Sequence, residues 1–203
     1  MFALVDKSDN SITRMLSGNK GITIGDNQYP KAIFNLWTEA ERNAIGIYTV
    51  ELDESKKKDE QWYINTNITY SFDGTNATGS YGDATAKKHA DTKWTQEQID
   101  AGEAPEGADT DTVAVKGLKT VLIEQVKSQA EGELNKTDWY ITRKSEKNTA
   151  IPSAISTHRD AVRTKQAEME TAITNASDTP ALETLYTRDE DGDRPLGELP
   201  ILG

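Results

Sequence analysis

The two histidines, His89 and His158, come first in any search for chemistry, because imidazole titrates near neutrality and ligates metals. They lie far apart in the sequence, and neither has a second ligand at a zinc-binding spacing. Cysteine is absent, which removes thiolate ligands, disulfides and Cys nucleophiles. No Ser-His-Asp pattern, phosphate-cradling glycine loop or dinucleotide fingerprint occurs. One spacing does match a ligand set: Thr187, Asp189, Asp191, Gly192 and Glu198 fall on positions 1, 3, 5, 6 and 12 of a helix-loop-helix calcium loop. Threonine opens it where a carboxylate normally begins the coordination, Pro195 intrudes, and Leu-Pro follows Glu198 where a helix should start. The expected structure is a solvated acidic turn. The chain therefore reads as a non-enzyme, with no cofactor and no metal.

Aromatic residues offer the other route to a site. Trp139 and Tyr140 stand beside Arg143 and Lys144, a grouping that suits either stacking on a ligand or closing a helical corner. At a formal net charge of -11 and a pI near 4.7 the chain repels a phosphate backbone, so no nucleic-acid partner is expected. The preferred reading is packing, with Trp139 between two long helices and the cations turned outward. Trp62, Tyr63, Tyr70 and Phe72 could line a sugar-binding groove, but alternation along strands divides them between faces, and core packing is expected.

The elements that would position these residues follow from pattern. Only 35% of residues are hydrophobic and the mean hydropathy is -0.71, which predicts thin cores and much exposed surface. No apolar run approaches the ~20 residues of a membrane span, and the first residues lack the charge and apolar core of a signal peptide. The fold class is α+β. Residues 1–82 form a β-rich domain, opened by a hairpin of Phe2 to Val5 and Ile12 to Leu16 around a polar turn. Thr38 and Glu41 spell a capping box for a short helix that stops by Gly46, before a strand from Ile47 to Leu52. Trp62 to Ile64 and Ile68 to Phe72 are further strands, and Asp73-Gly74-Thr75-Asn76 is a turn. Residues 83–112 read as an acidic linker with one short helix capped by Thr95.

Residues 113–175 change to a helical period. Val115, Leu118, Leu122, Val126, Ala130 and Leu134 make one apolar stripe, predicting a helix from Val113 to Leu134. Thr137 or Asp138 caps a short helix over Trp139 to Lys147, and Asn148 stops it. Pro152 opens a second long helix, with Ile155, Val162 and Met169 seven apart and His158 and Ala172 between them. His158 is expected packed or partly buried on this seam. So narrow a seam needs the first helix, a symmetry mate, or both. Residues 176–203 hold a short helix from Pro180 to Tyr186 capped by Thr179, then an extended arm. Its apolar tip, Leu199-Pro200-Ile201-Leu202, suits docking on a neighbour or folding back on its own domain.

Leu134, Thr137-Asp138-Trp139, Ile151-Pro152, Arg159 and Arg163 together resemble the C-terminal helical domain of the phage tail assembly chaperone-like proteins of tailed bacteriophages. The family pattern is Leu-x-x-Thr-Asp-Trp, then a Pro-started helix with Tyr-Arg-x-x-x-Arg; here His158 stands at the tyrosine. Tyr29-Pro30 with Ile45 to Val50 is also similar to short β-rich modules that head phage tail and fibre-associated proteins. These resemblances touch about half the chain. They imply a virion component at the tail tip or fibre base, made in the host cytoplasm and working by protein-protein assembly, or else an assembly factor that leaves. The implied partners are other phage tail or fibre proteins; the heptad seam itself predicts a homo-oligomer, a trimer being favoured. The residues expected to serve assembly or packing are Leu118, Leu122, Val126, Trp139, Ile155, His158, Val162, Met169, Ile201 and Leu202.

Overall fold

The computed structural model describes residues 1–202 and shows an α+β fold, strand-rich in its N-terminal part and helical in its C-terminal part. Its chain divides into two compact units, Met1 to Thr85 and Ala86 onward.

In the first unit, β1 (Phe2–Asp6) and β2 (Ser11–Leu16) form the expected hairpin. β3 (Ile22–Ile24) and β4 (Asn27–Tyr29) make a small second hairpin. Two short helices follow, α1 (Ile33–Leu36) and α2 (Glu39–Ala44). Thr38 and Glu41 build the complete capping box at the start of α2. Then come β5 (Ile47–Asp53), β6 (Tyr63–Ile64), β7 (Thr69–Phe72) and β8 (Ala77–Ser80). The main sheet has the order β2-β1-β5-β8-β7; β5 and β8 run parallel, and the other neighbours antiparallel.

Strand alternation gives this sheet two apolar faces. Ala3, Val5, Val50 and Ala77 form a cluster on one face, with Ile12, Met15, Tyr48, Tyr70 and Phe72 packed against it. Its edge strands β2 and β7 approach each other, so the sheet curls over this cluster. The opposite face carries Phe2, Leu4 and Ile47, which join Ile22, Ile33 and Phe34 from the second hairpin and α1. Trp62 and Tyr63 are buried, and Phe72 packs on Tyr48 with ring centroids 4.3 Å apart. These aromatics belong to the interior.

The division between units falls in the two-residue strand β9 (Thr85–Ala86). β10 (Thr92–Lys93), α3 (Gln96–Asp100) and β11 (Val113–Val115) come next, with Thr95 capping α3 as expected. The long elements are α4 (Leu118–Asn135), α5 (Asp138–Lys147), α6 (Ser153–Asn175) and α7 (Thr179–Tyr186).

Three expectations are corrected here. The predicted linker is part of the second unit: β10 pairs with β11, and the Lys88 and His89 carbonyls accept from the Leu118 and Lys119 amides. Those amides open α4 and have no partner inside it. Asp91 completes the plug by accepting from the Gly117 amide at 2.7 Å, and this bond holds its carboxyl below the usual 3.8. Polar composition hid this role, because the segment works through its backbone rather than through apolar side chains. Second, α4 starts at Leu118, since Val113 to Val115 is a strand and Gly117 caps the helix. Third, α7 starts at Thr179 and is capped by Asp178, whose carboxylate accepts from the Ala181 amide at 2.8 Å. Thr179 is buried and donates instead to the Lys87 carbonyl.

Candidate functional site

The helical pair comes first because it fixes what remains on the surface. Lys119 Nζ reaches the Thr174 carbonyl, Lys127 lies 3.5 Å from Glu170, and Arg159 bonds the Leu134 carbonyl, so α4 and α6 run antiparallel side by side. Leu122, Val126 and Ala130 on α4 are buried, as are Ile155, Val162, Met169 and Ile173 on α6. Leu118 and His158 are half-buried. The first helix thus covers the heptad seam inside one chain.

At the corner between α4 and α5 sit four of the residues that carry the resemblance, Leu134, Thr137, Asp138 and Arg159, with Trp139 next in the chain after Asp138. Helix α4 ends with carbonyls that have no partner further along the helix. Arg159 supplies one: its Nη1 donates to Leu134 O at 2.8 Å, to Thr137 Oγ1 at 2.6 Å and to Asp138 Oδ1 at 2.8 Å. One guanidinium nitrogen carries two hydrogens, so one of these bonds is shared. Thr137, fully buried, passes its own hydroxyl proton to Leu134 O at 2.9 Å. It stands at the N-cap position of α5 without making the cap bond, because the corner uses its hydroxyl. A cation at a helix C-terminus also meets the negative end of the helix dipole. Arg159 is 7% exposed, yet Asp138 keeps half its side chain in solvent, so the ion pair is only partly desolvated.

Trp139 does not pack between the long helices, contrary to expectation. Ala130, Thr137 and Arg159 fill the corner, and Trp139 is 51% exposed. Its ring lies on that of Tyr140 with centroids 3.7 Å apart and planes tilted by 31°. Arg143, one helical turn on, sits 4.8 Å from the Trp139 centroid and 5.2 Å from that of Tyr140. The three side chains form a stack on the surface of α5, with Ile141 also exposed. A stacked pair with a cation over it recognises flat or apolar groups and tolerates acidic ones.

The arm after α7 is fixed at one point. Leu196 is buried and its amide donates to the Leu185 carbonyl. Beyond it Leu199 and Pro200 are half-buried, while Ile201 is 78% and Leu202 39% exposed. Two of the calcium-loop positions are otherwise engaged: Glu198 pairs with Arg188 at 2.6 Å and Arg194 at 2.9 Å, and Asp189 accepts from the Asp191 and Asp193 amides. Sequence reasoning missed Thr137, Arg159, Ile173, Leu182 and Leu196 as packing residues. A seven-residue seam hid Arg159 and Ile173, whereas spacings of four from Ile155 and Met169 reach both.

Compared with protein-family models, with curated protein sequences and with solved structures, the chain has no match.

Proposed function

We propose that the chain is a structural component of a bacteriophage tail, at the tail tip or associated with a tail fibre, and acts by protein-protein assembly. One observation carries this reading. Part of the pattern that resembles the phage tail assembly chaperone-like proteins is one physical unit: Arg159 gathers Leu134, Thr137 and Asp138, and Trp139 is displayed beside them. A pattern that both builds a corner and presents an aromatic stack suits an assembly module. Further copies and other tail or fibre proteins are the proposed partners. Contacts with them must use surfaces other than the covered seam.

Quantitative mass spectrometry of gradient-purified particles tests the proposal. A fixed ratio of this chain to the major tail protein is the expected result. Absence from particles, with abundance in the infected-cell lysate, overturns the virion role and assigns the assembly factor instead.

A further inference from the structure

Among the apolar residues exposed on the second unit are Trp139 of the Trp139-Tyr140-Arg143 stack and Ile201 and Leu202 at the end of the C-terminal arm. We infer that the arm of one copy, Leu199 to Leu202, seats on the α5 stack of a second copy. This rests on the assembly reading above and names one of its contacts.

Charge complementarity selects the occupant. Arg143, Lys144 and Lys147 outnumber Asp138 and Glu146, so the C-terminal half of α5 is net basic on a chain whose net charge is -11. Among the described residues, no carboxylate lies within ion-pairing distance of these three cations. The segment leading into the arm is the reverse. Among the described residues, Glu190, Asp191 and Asp193 have no basic side chain within ion-pairing distance, while Glu198 is held by Arg188 and Arg194. An acidic turn followed by an apolar tip thus faces an aromatic stack followed by lysines. Leu52 among Glu51, Asp53 and Glu54 also joins an exposed apolar residue to acidic ones, but the arm sets two adjacent apolar residues, Ile201 and Leu202, beyond the acidic turn for the rings.

Geometry agrees with the chemistry. Pro200 keeps the tip extended, and extended proline-containing segments dock on aromatic surfaces with little entropy left to lose. Four extended residues span about 13 Å, enough to cross two stacked rings. Leu196 anchors the arm to its own unit, so a seated tip ties two whole copies together. Arm and stack are different surfaces, so the contact is head-to-tail, and it closes into a ring or continues as a string.

Sedimentation velocity of the full chain from micromolar to hundreds of micromolar reads the association. Trp139→Ala and the double variant Ile201→Asp with Leu202→Asp alter exposed positions, and far-ultraviolet circular dichroism checks that both fold. The wild type is expected to associate, and each variant to raise the apparent dissociation constant about tenfold or more. Mixed in equal amounts, the two variants are expected to form a heterodimer and nothing larger, because one still offers an arm and the other a stack. A wild type that stays monomeric throughout overturns the inference. So does association that survives Trp139→Ala unchanged, or a mixture that gains nothing over its components. Particle composition, measured separately, tells failure of the tail assignment from failure of this contact.

Discussion

Arg159 Nη1 lies 2.6 Å from the hydroxyl of Thr137, and that hydroxyl donates to the Leu134 carbonyl 2.9 Å away. This contact joins the end of α4, the start of α5 and the flank of α6. Replacing Arg159 by Met takes the donor from the Thr137 hydroxyl and from Asp138, and leaves the Leu134 carbonyl with only the Thr137 amide and hydroxyl. Breaking a buried pair costs about 3–5 kcal/mol, but Asp138 is half exposed and recovers water, so about 2–3 kcal/mol is expected. Thr137→Val keeps the shape, removes both hydroxyl bonds and is expected to cost about 1–2 kcal/mol. Because the two residues share one network, the double variant should cost little more than Arg159→Met alone. Urea unfolding followed by helical ellipticity measures this; strict additivity would show that the residues act independently.

Trp139 and Met169 separate what is buried from what merely looks important. Met169 is 1% exposed on α6, and Met169→Ala should cost about 2–5 kcal/mol through lost transfer energy and a cavity. Trp139→Ala removes a larger ring, yet that ring is half in solvent and should change stability by about 0.5 kcal/mol or less. Thermal melts of the two variants check the order. A Trp139→Ala variant as unstable as Met169→Ala would mean that the ring supports the corner.

This contrast also shows what the sequence made legible. The opening hairpin, both threonine capping boxes, the Asn148 stop and the apolar periods of the long helices are local signals, and each appears in the structure. Asn148 takes the left-handed backbone (φ 52°) expected of it. The linker assignment failed because residues 86 to 93 act through carbonyls and one carboxylate, which composition does not register. Trp139 failed for a related reason. Its size suggested burial, but Arg159 reaches the corner from α6 and makes three polar bonds that a ring cannot make. No periodicity within α5 encodes a side chain arriving from another helix.

Two glycines of the α4 region should respond to alanine in opposite directions. A Cβ at Gly117 would collide with the backbone of His89 and Ala90, the segment that plugs the start of the helix. Neither partner is a flexible side-chain end, so Gly117→Ala is expected to destabilise by about 1–3 kcal/mol or more. Gly132 lies inside α4, exposed, with nothing within 4 Å of an added Cβ. There alanine restricts the unfolded chain and favours the helix, so Gly132→Ala should stabilise by about 0.5–1 kcal/mol. Denaturant midpoints of the two variants against the parent test the pair. A neutral Gly117→Ala would place the plug at a looser distance than the structure gives.

The capping box of α2 adds a pH dependence to the first unit. The Glu41 carboxylate accepts from the Thr38 amide at 2.7 Å and from its hydroxyl at 2.8 Å, and these bonds hold its pKa below the ordinary 4.5. A lowered folded pKa means that the unfolded chain takes up the proton first as pH falls. The stabilisation is therefore complete above the ordinary value and is lost on descending through the lowered one. Glu41→Gln keeps an acceptor but removes the charge and its proton linkage. At neutral pH the parent should melt above Glu41→Gln, and the gap should narrow on acidification below pH about 4. Thr38→Ala removes both the amide cap and the hydroxyl donor to Glu41, so it should lower the melting temperature and flatten the same acid limb. A gap that stays constant from neutral to acid pH would show that the charge on Glu41 contributes nothing to the cap, leaving only its hydrogen-bond geometry.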